Sequence, residues 1–189
     1  MKQLQIFSII FFSLLLLQGC TTNRIHFSDY SSDAEINSIQ SHKVQYAISK
    51  IDTPSPCKKC GEGGNLVWHA ANFTGRSLYE GFFSIPVSDW NKFVKTSLAN
   101  QNKGVPAEVT LKRVFLKTWE NPQYYAASVS LTLSSNGKSV KGSALVKIKG
   151  EGQLLLRPNA VKLDDNSLSA IKLAIKAAYI DAASKTINN

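Results

Sequence analysis

The sequence predicts an α+β domain in which a mostly antiparallel sheet packs against a mid-chain helix and a C-terminal helix. Two observations carry this prediction. Asn136-Gly137 separates two runs of alternating apolar and polar residues, which is a strong signal of a β-hairpin. Apolar residues recur at helical spacing between positions 168 and 182, just after an acidic cluster, and this pattern predicts a final helix that lies deep against the sheet.

The N-terminus has the layout of a secretory signal. Lys2 precedes an uncharged apolar stretch at residues 6–17, which is shorter than the roughly 20 residues that a membrane-spanning helix needs. Leu17-Gln18-Gly19-Cys20 then resembles the lipobox of bacterial lipoproteins. The resemblance implies that a signal peptidase cuts between Gly19 and Cys20. It also implies that the thiol of Cys20 carries a diacylglyceryl group, beside an acyl chain on the new N-terminus.

Residues 20–40 are polar, rich in Ser and Asp, and without sustained periodicity, which predicts a flexible tether between lipid and domain. Isolated Ile25, Phe27 and Ile36 leave a second interpretation open, in which they fix part of this segment to the domain. Residues 41–189 are long enough for a single domain with its own core. The chain is thus divided into a signal peptide (1–19), a tether (20–40) and one periplasmic domain (41–189).

The elements ahead of the hairpin follow from local patterns. Alternation predicts strands at residues 43–51 and 66–73, joined by a loop rich in Pro and Gly. Ser88-Asp89 is typical of a helix N-cap, and apolar spacing then predicts a helix over residues 90–98. A further strand is predicted at residues 109–119, where the broken alternation near Arg113 indicates a bulge.

The hairpin has one register that sorts its residues by polarity. If Ser135 pairs with Lys138 across the turn, the apolar residues of both strands fall on one face. A slip of one residue would move them all to water, so this register is predicted. It pairs Leu133 with Val140, Leu131 with Gly142, Val129 with Ala144, Ala127 with Val146 and Tyr125 with Ile148.

The opposite face of the hairpin is polar and basic. Residues 103–162 hold ten Lys and Arg against three Glu, within a chain of formal net charge +9 at pH 7. The register places Lys141, Lys147 and Lys149 on this face, with Lys138 at the turn, and predicts that no helix covers them. An exported protein meets no nucleic acid, so the expected anionic partner is an envelope protein or peptidoglycan. The alternative is a solvated face that maintains solubility.

Cys57 and Cys60 form the one pair with reactive potential. Pro residues precede the pair and Gly residues follow it, so no helix begins there to lower a thiol pKa as in thioredoxin-type motifs. We expect a small structural disulfide, with redox activity or zinc binding involving His69 as open alternatives. No catalytic motif is recognised, so no enzymatic activity, catalytic residue, metal or cofactor beyond the lipid on Cys20 is expected.

The order of lipobox, tether, helix, Asn136-Gly137 hairpin and terminal helix resembles the YajG-like bacterial lipoproteins, best over residues 109–183. The family has no assigned catalytic residues, so the resemblance implies none here. A similar layout is found in auxiliary lipoproteins of lipid-transport ABC systems and in lipoprotein activators of peptidoglycan synthases.

Three functions are therefore expected in decreasing order. The first is a non-enzymatic structural or adaptor lipoprotein of the outer membrane, with its domain in the periplasm. The second is an auxiliary lipoprotein of a lipid-transport system, and the third is a thiol-redox protein using Cys57 and Cys60. An apolar cavity between the terminal helix and the sheet would favour the second, whereas a packed interface favours the first. The sequence does not indicate the oligomeric state.

Overall fold

The computed structural model describes residues 21–74, 77–99, 104–120, 122–150 and 163–187. These residues form an α+β fold of six strands and four helices, as predicted. The signal peptide and both lipobox positions, Gly19 and Cys20, lie outside them. The elements in chain order are α1 (Thr21–Phe27), α2 (Asp33–Ser41), β1 (Tyr46–Asp52), β2 (Leu66–Thr74), β3 (Ser77–Ser84), α3 (Trp90–Ser97), β4 (Val105–Glu120), β5 (Gln123–Ser135), β6 (Lys138–Lys149) and α4 (Asp165–Ile187).

All six strands belong to one mixed sheet with the order β3-β2-β4-β5-β6. Three neighbouring pairs are antiparallel: β2 with β3, β4 with β5, and β5 with β6. Strands β1 and β2 both run parallel to β4, β1 along residues 105–110 and β2 along residues 114–119. Because β5 takes the other edge of β4, β1 and β2 share a single edge of this long strand.

The predicted hairpin register is confirmed from Ser135↔Lys138 to Tyr124↔Lys149. Asn136 and Gly137 have φ of 51° and 73°, which are the two left-handed positions of a type I′ turn. The predicted bulge is also present, since the register of β4 with β5 shifts between Leu111 and Arg113. The extra residue lets both halves of β4 present their apolar side chains to the same core.

The main core lies on the face of the sheet that α2, α3 and α4 cover, which we call the inner face. Helix α4 supplies a stripe of small and branched residues, among them Ile171, Ala174, Ile175 and Ala178, all fully buried. Helix α3 begins as predicted, with the Asp89 carboxylate accepting from the backbone N–H of Lys92 at 2.9 Å. Within the described residues no helix is both long enough and apolar enough to span a bilayer.

Residues 21–41 differ from the predicted flexible tether, because most of them are helical and both helices are packed. Ile25 of α1 and Ile39 of α2 are buried, at 2% and 7% exposed. Ser32 caps α2 by accepting from the backbone N–H of Glu35 at 3.2 Å. The second interpretation of this segment is therefore right for Ile25 and for the partly buried Ile36, whereas Phe27 is 81% exposed. Strand β3 was not predicted either.

Candidate interaction face

The face of the sheet opposite the main core, which we call the outer face, is also covered. Helix α1 lies on it, and Ile25 packs into a second apolar cluster with Val67, Phe115, Tyr124 and Ala126. These four sheet residues come from β2, β4 and β5, and all are at most 1% exposed. A seven-residue helix has little stability alone, so α1 depends on this contact.

Lys147 of β6 holds the end of α1 in place. Its ammonium donates to the backbone carbonyls of His26 at 2.7 Å and of Ser28 at 2.8 Å. Carbonyls at a helix C-terminus have no partner within the helix and carry partial negative charge, so a cation is well placed there. The next residues follow the edge of β6, where the N–H of Ser31 donates to the carbonyl of Lys147 at 2.8 Å.

Aromatic rings surround the Lys147 ammonium. It lies 4.5 Å from the ring centroid of Tyr124 and 4.7 Å from that of Tyr30. The side chain is only 4% exposed, and this burial lowers its pKa, with Asp29 acting in the opposite direction. His26 adds a hydrogen bond between its Nδ1 and the hydroxyl of Tyr124 at 2.9 Å. Together these contacts fix the N-terminal segment at a site about 120 residues away in sequence.

The prediction of a continuous basic face is wrong at Lys147. Strand alternation does place Lys147 on the outer face, but α1 and the residues after it bury the side chain, although the sequence predicted that no helix lies there. Lys138, Lys141 and Lys149 are exposed. Lys141 and Lys149 are separated by eight residues, or roughly 27 Å along a strand. Without Lys147 between them, these lysines form no single patch.

A second buried polar group lies on the same face between β2, β3 and β4. His69 is 1% exposed and pairs through Nε2 with the Glu80 carboxylate at 2.5 Å, while its ring stacks on Phe82 with centroids 4.5 Å apart. Lys117 is the neighbour of His69 across the parallel strands and is 3% exposed. Burial lowers the pKa of both His69 and Lys117. Lys117 lowers the pKa of His69 further, and Glu80 opposes the shift in both residues.

The loop with the two cysteines is fixed to the sheet at the β4 bulge. Cys57 and Cys60 form the predicted disulfide. Arg113 donates from Nη2 to the carbonyl of Glu62 at 2.6 Å and from Nε to that of Gly64 at 3.2 Å. No group of three or more potential metal ligands occurs in the described residues, and His69 pairs with Glu80 instead.

The interface between α4 and the sheet is tightly packed. A Cβ atom added to Gly142 of β6 would lie 2.0 Å from the carbonyl oxygen of Ala178 and 2.8 Å from the Cβ of Ala182. A side chain at position 142 would therefore collide with the helix backbone. Glycine at this position allows α4 to approach the strand at backbone distance, which leaves no room for a lipid chain between them.

Sequence reasoning missed the residues that build the outer face, although one signal was present. Ser32 and Glu35 have the S-x-x-E spacing of a capping box, which indicates the start of α2. A helix at that position shortens any tether and places α1 close to the sheet. No comparable sequence signal connects Lys147 with the carbonyls of α1, because that contact depends on the tertiary fold.

Comparisons with known proteins leave the family open. No protein-family model matches the sequence, and neither does any curated protein. The chain is similar to a solved structure titled "Crystal structure of uncharacterized protein", with 10% identity and a TM-score of 0.33. That match covers 78% of this chain and 94% of the other chain. At this TM-score the likeness supports no argument about function.

Proposed function

We propose that this protein is a lipid-anchored lipoprotein of the bacterial outer membrane whose periplasmic domain acts as a non-enzymatic structural or adaptor module. The lipobox at residues 17–20, with Cys20 as the lipid acceptor, is the observation that carries this proposal. Helix α1 supports it, because a folded and packed segment begins at the residue that would follow the lipidated cysteine. The layout shared with YajG-like lipoproteins agrees with this proposal.

The packing of the inner face favours an adaptor over a lipid carrier. A carrier needs an apolar space for acyl chains, and the expected place was between the terminal helix and the sheet. Gly142 and Ala178 are in backbone contact there, and the stripe of α4 is fully buried. An adaptor needs only a stable surface, and its partner would be an envelope protein or peptidoglycan.

The anchor is tested by metabolic labelling of cells with an alkyne fatty acid. The full-length protein should incorporate the label and stay with membranes after a high-salt wash, whereas the Cys20→Ala variant should do neither. A lipid anchor of several chains holds a protein effectively permanently, because each buried CH₂ adds ~0.8 kcal/mol. The matched control is the double variant Cys57→Ser/Cys60→Ser, which should label as the wild type does. Labelling of Cys20→Ala, or its retention in washed membranes, would contradict the anchor.

The adaptor role is tested by crosslinking in intact cells, followed by mass spectrometry of the proteins and glycans recovered with the chain. Recovery of one envelope protein or of peptidoglycan fragments is the expected result. Recovery of stoichiometric phospholipid that is not covalently attached would instead support the lipid-transport function.

A further inference from the structure

The docked position of α1 restricts how far the domain can be from the bilayer. A free tether of about 20 residues could extend to roughly 70 Å. Here Thr21 is already the first residue of α1, and consecutive Cα atoms are only about 3.8 Å apart. If Cys20 carries lipid, as the proposed function requires, the anchor joins a helix that Ile25 and Lys147 hold on the outer face.

The surface around α1 has the composition of a membrane interface. Phe27 is 81% exposed and Arg24 is exposed, so α1 presents an aromatic ring and a guanidinium to its surroundings. Leu145 of β6, 37% exposed, lies next to Arg24 and adds an aliphatic side chain. Aromatic, aliphatic and basic side chains together are typical of surfaces that lie at the boundary between headgroups and acyl chains.

A groove beside α1 offers a place for a phosphate group. It has a volume of about 390 Å³ and is lined by two arginines, by hydroxyls and by apolar side chains. Arg113 uses Nε and Nη2 for the cysteine loop, which leaves the other N–H groups of its five. The lining residues are Arg24, Ile25, Arg113, Ser128, Ser143, Ala144 and Leu145.

We propose that the outer face around α1 rests on the membrane and that this groove receives the phosphate of an anionic phospholipid headgroup. The inference depends on the proposed lipid anchor, which brings the groove to the bilayer. It goes beyond that proposal by giving the domain a fixed orientation. The outer face then meets lipid, and the side of the sheet that carries α3 and α4 is directed towards the periplasm.

Photocrosslinking in native membranes tests the orientation. Phe27 is replaced by p-benzoylphenylalanine in the full-length protein, and Lys95, an exposed residue of α3, is replaced in the same way as the control. After irradiation, mass spectrometry should find phospholipid adducts at residue 27 and none at residue 95. Protein adducts at residue 27, no adducts there, or equal lipid adducts at both residues would each overturn the orientation.

Fatty-acid labelling of the same samples separates this inference from the proposed function. Labelled protein without lipid adducts at residue 27 overturns the orientation and leaves the anchor intact. Protein without the label overturns the anchor itself, and the orientation with it.

The headgroup site is tested with the lipidated protein in phosphatidylethanolamine vesicles, with and without phosphatidylglycerol. Adducts at residue 27 should favour phosphatidylglycerol when it is present. Arg24→Gln should reduce that preference about fivefold, because one cation near an anionic surface changes affinity by about this factor. Lys92→Gln on α3 is the control and should leave the preference unchanged. A preference that survives Arg24→Gln, or that is absent in the wild type, would overturn the headgroup site.

Discussion

The two faces of this sheet are both buried, but by different means. The inner face is covered by α4, a 23-residue helix whose buried stripe of Ala and Ile meets an apolar sheet surface. The outer face is covered in part by α1, a seven-residue helix with one buried apolar residue, Ile25. Three cationic or titratable side chains lie beneath or beside it: His69, Lys117 and Lys147.

This difference shows how the two packings derive their stability. On the inner face, removal of apolar area from water is sufficient, and shape decides the details. On the outer face the apolar area is small, so hydrogen bonds from Lys147 to the end of α1 contribute a larger share. Buried lysines are rare because desolvation is costly, and this one is held by two carbonyls and two aromatic rings.

The largest effect is expected on the inner face, from Gly142→Val. The new side chain would collide with the backbone of α4 at Ala178, so helix and strand must separate. Overpacking of this kind costs about 3 kcal/mol of the free energy of unfolding. Urea denaturation measures the loss. Gly61→Ala is the matched control, because nothing lies within 4 Å of a Cβ added there. Equal stability of Gly142→Val and wild type would show that α4 does not pack at backbone distance.

On the outer face, Lys147→Met should destabilise the protein by about 2 kcal/mol, because it removes two charge-assisted hydrogen bonds and keeps the apolar stem. The loss is smaller than for Gly142→Val, since α1 can detach locally and hydrate its carbonyls. Lys149→Met tests an exposed lysine of the same strand and face, and should change stability by less than about 0.5 kcal/mol. If the two variants unfold at the same urea concentration, Lys147 does not hold α1.

The disulfide should contribute less than Lys147. Cys57→Ser/Cys60→Ser opens a ring of four residues, which the chain-entropy model values at no more than about 2 kcal/mol, and Arg113 still holds the loop through backbone carbonyls. The double variant should stay folded by circular dichroism, with a small decrease in melting temperature. Loss of folding would contradict this, and free reactive thiols in the wild-type protein would support the redox alternative.

The smallest effect concerns pH. The pKa of His69 lies below its ordinary value of 6.5, because burial and Lys117 disfavour the imidazolium more than Glu80 favours it. Below about pH 6.5 the unfolded chain therefore binds a proton that the folded chain resists, and stability falls as pH falls. Melting temperatures between about pH 7.5 and about pH 5.5 should decrease less for His69→Gln than for wild type. His42→Gln is the control histidine, and a flattening equal to that of His69→Gln would contradict the assignment.

Local sequence patterns predicted the inner face well. The Asn136-Gly137 turn and two alternating strands determine a register, because any slip would expose the apolar residues. The same reasoning placed the bulge near Arg113 and the N-cap at Asp89. Strand β3 was harder to predict, because Gly81 and the adjacent Phe82 and Phe83 interrupt a clear alternation.

The outer face could not be predicted in the same way. Alternation assigned Lys147 to the correct side of the strand, but it carries no information about what covers that side. The cover is a short helix about 120 residues earlier in the chain, whose sequence alone has little helical stability. The pairing of His69 with Glu80 likewise depends on strand β3, which was not predicted.

The central claim is that residues 21–31 are docked on the sheet through Lys147 and are not a free tether. Hydrogen exchange of the full-length protein in detergent, read by mass spectrometry on a peptide covering these residues, tests it most directly. The account predicts slow exchange in the wild type, including the Ser31 amide bonded to Lys147, and fast exchange in Lys147→Met with α4 unchanged. Complete exchange of this peptide in the wild type at the shortest time would contradict the account.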